Sequence, residues 1–170
     1  ILGKILFFEE QLSASNTVAC YTCHSFVGAG SDIRPRVRFP GADGVFNTPD
    51  DIFGSAGVVK SDANDNMVRD TVFGVGVQVT NRAANSPINA AFAPTLFWDG
   101  RALPTFIDPQ TGTVAINAGG ALESQCVNPP VSTVEMGHTG YDWNVISAKL
   151  THVRPLELAT NHTADITAAL

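Results

Sequence analysis

The sequence predicts a mainly α domain whose short helices are separated by long irregular loop insertions. Apolar residues recur at helical spacing near both ends of the chain, at Leu2, Ile5, Leu6 and Leu12 and again at Trp143, Ile146 and Leu150. Glycine (15) and proline (10) are frequent while charged residues make up only 15% of the chain, a composition that favours extended connections between short helices. Residues 20–24 read Cys-Tyr-Thr-Cys-His, a CxxCH pattern that attaches a bulky cofactor around which such a chain can organise itself.

The opening helix ends at Ser13-Ala14-Ser15-Asn16, where polar residues stop it ahead of the CxxCH. That motif is the attachment signature of a c-type haem. Its thiols, Cys20 and Cys23, form thioethers to the porphyrin, and the adjacent His24 becomes the proximal ligand of the iron. A redox dithiol or half of a zinc site competes with this reading, but zinc needs further Cys or His ligands at short spacing and only the distant Cys126 remains. Covalently bound haem c is therefore the expected cofactor, in a cytochrome c-like helical framework.

Residues 28–80 and 103–120 form the two loop-rich insertions. In the first, the run from Gly41 to Asp51 places side-chain oxygens on a tight turn that could hold calcium. The spacing does not match an EF-hand, and Asp, Asn and Gly also make turns on their own. The same two readings apply to Asp62-Ala63-Asn64-Asp65-Asn66. Val72 to Val79 alternates loosely with glycines, as a short extended ribbon would. Between Gly100 and Gly120, Asp108-Pro109-Gln110-Thr111-Gly112 suggests a hairpin-like excursion. Trp143, Ile146, Ser147 and Leu150 mark one face of a helix that Asp142 could cap and that ends before Arg154-Pro155. Thr163 to Leu170 begins another helical pattern with no Gly or Pro to end it, so the domain or its parent protein is expected to continue.

With 170 residues, 44% of them hydrophobic, the chain can bury one core, and residues 1–170 are expected to form a single haem domain. The net charge of -6 argues against nucleic acid or an anionic membrane as partner and favours a basic protein such as a small cationic cytochrome. No run of about eighteen apolar residues is present to span a bilayer. Covalent haem attachment takes place outside the cytoplasm, so a periplasmic or otherwise extracytoplasmic location is expected, with any export segment removed. Two cysteines committed to haem and one left over do not make a disulfide framework.

Several blocks occur in a telling order: Leu2-Gly3-Lys4-Ile5-Leu6-Phe7-Phe8 with Leu12-Ser13, the CxxCH, Asn85-Ser86-Pro87, Leu96-Phe97-Trp98-Asp99-Gly100-Arg101, Leu122-Glu123-Ser124-Gln125 and Val134-Glu135-Met136-Gly137. In that order they resemble the N-terminal haem domain of the bacterial dihaem cytochrome c peroxidases and their MauG-type relatives. The resemblance implies a peroxidatic haem, where hydrogen peroxide binds and its O–O bond breaks. It implies Glu135 as the acid-base carboxyl, Gln125 as the polar neighbour that orients peroxide, and Trp98 on the electron path between two haems. Asn85 matches a residue near a calcium site between the haem domains. Arg101, in Asp99-Gly100-Arg101, could pair with a haem propionate through its planar fork of donors, an ion pair with an acidic side chain being the alternative. Met136 is expected to pack against the haem, because an iron-bound thioether would close the peroxide site. Cys126 is expected as a buried free thiol.

Two departures accompany the resemblance. Many members carry a distal His upstream of Asn-Ser-Pro, where this chain has Phe73-Gly74-Val75-Gly76-Val77-Gln78. The iron is then five-coordinate, or Met67, His138, His152 or His162 reaches it from elsewhere. There is also no second CxxCH, so the second haem is expected from a missing C-terminal haem domain or partner subunit. The implied activity is reduction of hydrogen peroxide to water with electrons from a small redox protein, a cytochrome c or a cupredoxin. The alternatives are an electron-transfer cytochrome c subunit without peroxidase activity, a MauG-like protein-modifying enzyme, and a docking module.

Overall fold

Helix formation begins at Leu2 and stops after seven residues, because Glu9 turns to extended backbone (φ -80°, ψ 105°) and its carboxylate accepts the Gln11 N–H at 3.1 Å. The apolar pattern of Leu2 to Leu12 is thus divided between a helix, α1 (Leu2–Phe8), and a 3-10 turn (Glu10–Leu12). Ser13, fully buried, then redirects the chain: its hydroxyl donates to Glu10 O at 2.8 Å and accepts the N–H groups of Thr17 and Val18. The computed structural model, which describes residues 1–170, continues with α2 (Cys20–Cys23), α3 (Ala121–Cys126), α4 (Trp143–Leu150) and α5 (Ala164–Thr167). Asp142 caps α4, its carboxylate accepting the N–H groups of Asn144 and Val145 at 2.9 Å each.

The expectation of a mainly α, cytochrome c-like framework is overturned. Helix, 3-10 turns included, covers only 24% of the chain, and strands with isolated bridges cover 15%. The difference lies in the two insertions, which fold into antiparallel ribbons: β1 (Val37–Phe39) with β2 (Ile52–Gly54), β3 (Ala56–Val59) with β4 (Val77–Val79), and β5 (Phe106–Ile107) with β6 (Val114–Ile116). Valine and isoleucine suit these strands, and aspartates close turns by accepting backbone N–H groups. Asp50 takes those of Ala42 and Asp43, Asp62 those of Asn64 and Asn66, and Asp108 those of Gln110 and Thr111. The carboxylates that suggested calcium are therefore engaged as turn formers. No group of three or more His, Cys, Asp or Glu is arranged to hold a metal ion.

The main core gathers Leu12, Val18, Val58, Met136, Tyr141 and Ile146, with Leu6, Val131, Trp143 and Leu150 packed on it. Each such aliphatic side chain contributes about 1.5–3 kcal/mol when fully buried. A smaller cluster, Ile5, Leu156 and Ile166, joins the two ends of the chain, where Lys4 also pairs with Asp165 at 2.8 Å. Helix α4 is tied to the segment preceding the CxxCH. Lys149 Nζ donates to Ser13 O and Asn16 Oδ1, and Tyr141 Oη donates to Leu12 O. Only 27 of 170 residues are buried, so the protein's own side chains make a thin core. No helix is long and apolar enough to cross a membrane.

Candidate haem-binding site

Cys20 and Cys23 open and close the single turn of α2, so a spacing of three places both thiols on one face of it. Thr22 steadies this turn by accepting the Ala19 N–H at 2.9 Å. Both thiols are half-buried and unpaired. Burial, then the neighbouring Cys126, pushes Cys20 up to about 11. Burial also raises Cys23, against the opposing pull of Arg34, whose guanidinium Nη2 donates to Cys23 Sγ at 3.1 Å.

His24 follows directly, and its ring Nδ1 lies 3.0 Å from Gly30 O. A carbonyl can only accept, so Nδ1 carries the proton and the lone pair sits on Nε2, as an iron ligand requires. The acceptor is fixed by a tight turn: Gly30 has φ +85°, and a Cβ there would fall 2.6 Å from Pro87 Cδ. Ser86 Oγ donates to Ala29 O at 2.6 Å. The Asn85-Ser86-Pro87 block thus braces the turn that orients His24, a role its sequence does not announce. Two free thiols on one helical turn, and an imidazole anchored at Nδ1 with Nε2 available, form a donor set that fits a covalently attached haem.

Glu135 is half-buried and close enough to His24, Cys23 and Arg101 for their charges to act on it. Burial raises its pKa above the usual carboxylate range, against lowering contributions from Ser132, His24 and Arg101. It sits on a tight turn in which Ser132 O accepts both the Met136 and Gly137 N–H groups. The backbone on either side is gripped from three directions. Val134 O accepts the Val58 N–H at 3.0 Å, Thr133 O accepts Gln78 Nε2 at 2.7 Å, and Met136 O accepts the Ala14 N–H at 2.7 Å.

The remaining predicted residues are dispersed. Gln125 lies half-buried on α3 with its side-chain amide free of partners in the chain. Cys126, next to it, is exposed and not the buried thiol expected. Trp98 is 87% exposed, with the Arg82 guanidinium 5.3 Å above its ring. Arg101 pairs with Asp99 at 3.1 Å and stacks 3.5 Å over Phe97. Met136 is 3% exposed among the core side chains, and Asn85 is exposed. Among the other histidines, the buried His138 holds Thr139 O with Nδ1 and faces Asp65 at 3.4 Å, while His152 contacts Ala148 O. A cleft of about 620 Å³ lies beside the attachment turn, lined by Phe8, Tyr21, Phe26, Leu156, His162 and Ile166 among others. Gln78 and Ser86 escaped the sequence reading because their partners lie 55 and 57 residues away, and Arg34 because its contact with Cys23 crosses an irregular loop. The one available signal was that Gln78 closes the stretch where the family resemblance leads to the expectation of a His.

Residues 1–161 match the sequence profile of the di-haem cytochrome c peroxidase family. The chain is also similar to the cytochrome c551 peroxidase of Pseudomonas aeruginosa, 35% identical over 101 residues. The matched stretch is 59% of this chain and spans 19% of that relative's length.

Proposed function

The chain belongs to the di-haem cytochrome c peroxidase family, and on that premise we propose that it is the peroxide-handling haem domain of a longer enzyme that reduces hydrogen peroxide to water. The family implies haem c, which when bound supplies a redox-active iron that takes up peroxide. Cys20 and Cys23 would tether it, and His24, held through Nδ1 by Gly30, would offer Nε2 to its iron. Glu135 would accept a proton from one peroxide oxygen at its carboxylate and return it to the other. Two electrons and two further protons complete the reduction to two waters. Gln125, with its amide uncommitted, orients the peroxide.

Trp98 lies on the electron path, its exposed indole facing the second haem domain or partner subunit that the dihaem architecture calls for. The donor is a small redox protein, a cytochrome c or cupredoxin whose basic surface suits a chain of net charge -6. Because haem attachment takes place outside the cytoplasm, an extracytoplasmic, periplasmic setting follows.

The observation that carries this reading is the placement of Glu135. It is a half-buried carboxyl with a raised pKa, within electrostatic reach of His24 and Cys23, on a turn held by three backbone contacts. A carboxyl tuned toward neutrality is suited to both taking and giving a proton. The test is Glu135→Gln in the haem-loaded protein. Peroxide turnover should fall about 100-fold or more, with covalent haem content unchanged by intact mass. Turnover equal to wild type would remove Glu135 from the mechanism.

A further inference from the structure

Gln78 sits in the middle of β4, is only 5% exposed, and turns its amide onto backbone carbonyls of two other segments. Its Nε2 donates to Thr133 O at 2.7 Å, two positions before Glu135, and also reaches Val58 O at 3.4 Å. Beside it, Val58 N–H donates to Val134 O at 3.0 Å. The approach is close enough to demand glycine at the preceding position: a Cβ on Gly57 would lie 1.8 Å from Val134 O and 3.1 Å from Glu135 Cα. The same strand meets the attachment turn at its other end. Ala56 O accepts Arg34 Nη2 at 2.7 Å, and that nitrogen also donates to Cys23 Sγ at 3.1 Å. With strand rising about 3.3 Å per residue, Ala56 and Val58 set a short, stiff separation between the sulfur's anchor and the turn that bears the carboxyl.

We propose that Gln78 is a positioning residue for Glu135, fixing the 133–135 backbone against β3 so that the carboxyl is held at a set distance from the haem-attachment turn. This rests on the reading of Glu135 as proton relay. The 28–80 insertion is then the frame that holds the distal acid in register with the proximal attachment. A buried amide suits that task, since its own N–H groups need acceptors and Thr133 O and Val58 O supply them. The proposal differs from a purely structural role in that Gln78 acts through one particular side chain.

A double-mutant cycle on the haem-loaded, full-length protein separates the two, using wild type, Gln78→Leu, Glu135→Gln and the double variant, all matched for covalent haem by intact mass. Gln78→Leu should lower kcat for peroxide by about 10- to 100-fold with little change in KM, as expected when a reacting group is misplaced without loss of binding. In the Glu135→Gln background the same change should cost nothing further. If Gln78→Leu does not accumulate as haem-loaded protein, the similarly sized Gln78→Met takes its place with the same expectation, because a thioether has no hydrogen to donate to Thr133 O. A wild-type kcat for the Gln78 variant beside a slow Glu135→Gln would overturn the proposal. So would an equal loss in both backgrounds, which marks a structural role. Wild-type turnover in Glu135→Gln alone would instead refute the proton-relay reading on which the proposal stands.

Discussion

Replacing Gly57 by alanine puts the packing of β3 against the Glu135 turn to a direct stability test. The added methyl would lie 1.8 Å from Val134 O and 2.8 Å from Val134 C, against 3.4 Å or more for ordinary contact. One backbone must therefore retreat by well over an ångström, which carries the 3.0 Å Val58–Val134 bond out of hydrogen-bonding range. Forcing a methylene into a packed site costs about 1–3 kcal/mol, and each buried backbone bond left open adds about 1 kcal/mol or more. A total near 3 kcal/mol would lower Tm by about 6–12 °C, at roughly 2–4 °C per kcal/mol for a chain of this size. Thermal melting followed by circular dichroism reads this out, with Gly3→Ala as the control. Gly3 lies inside α1 with nothing within 4 Å of a built Cβ, so its variant should melt at or slightly above wild type. A Gly57→Ala protein melting no lower than wild type would refute the close approach and the positioning argument built on it.

Asp70 gives an acid-dependent signature. The N–H groups of Phe73 and Val72, then Lys60, lower its pKa from 3.8 to about 2. Its contribution to stability is therefore fully present above the unfolded value and lost as the pH falls through about 2. The difference in urea midpoint between wild type and Asp70→Asn should be constant near neutrality and close between roughly pH 4 and pH 2, and a difference that persists at the acid end would contradict this. Thiol accounting tests the attachment. With haem bound through Cys20 and Cys23, mass spectrometry after denaturing alkylation should find one modified cysteine, Cys126, and two or three adducts would show incomplete attachment. Partial desolvation of its sulfur raises the Cys126 thiol although the residue as a whole is exposed, so its alkylation in the native protein should quicken as pH rises above neutrality.

What could be read from the sequence was local. Asp142 announces the start of α4 because a cap needs only the next two or three N–H groups, and the CxxCH announces its chemistry because the donors are neighbours. The 103–120 hairpin follows from Asp108 and Gly112, whose turn closes on itself. The mainly α expectation failed where the partners are remote. Nothing near Val77 to Val79 says that β4 will find Ala56 to Val59, and nothing near Gly57 says that another backbone will arrive against it. The candidate site divides in the same way. Cys20, Cys23 and His24 stand out from spacing alone, and Glu135 was reached only through the ordered blocks. Gln78 and Arg34 leave no periodic trace, since the acceptor of the first lies 55 residues away and the second bridges Cys23 to Ala56.

The turn that orients His24 closes over six residues, from the imidazole to Gly30 O, whereas the contacts that fix the Glu135 turn span much longer loops. Loop closure grows costlier with length, and non-local pairing is slow to form. As the chain is made from its N-terminus, the CxxCH turn and the short Gly30 loop can therefore form early, and Ser86 and Pro87 brace them once they are made. On that order the attachment sulfurs stay open to a bulky group until residues 133–136 dock against β3 and Ala14.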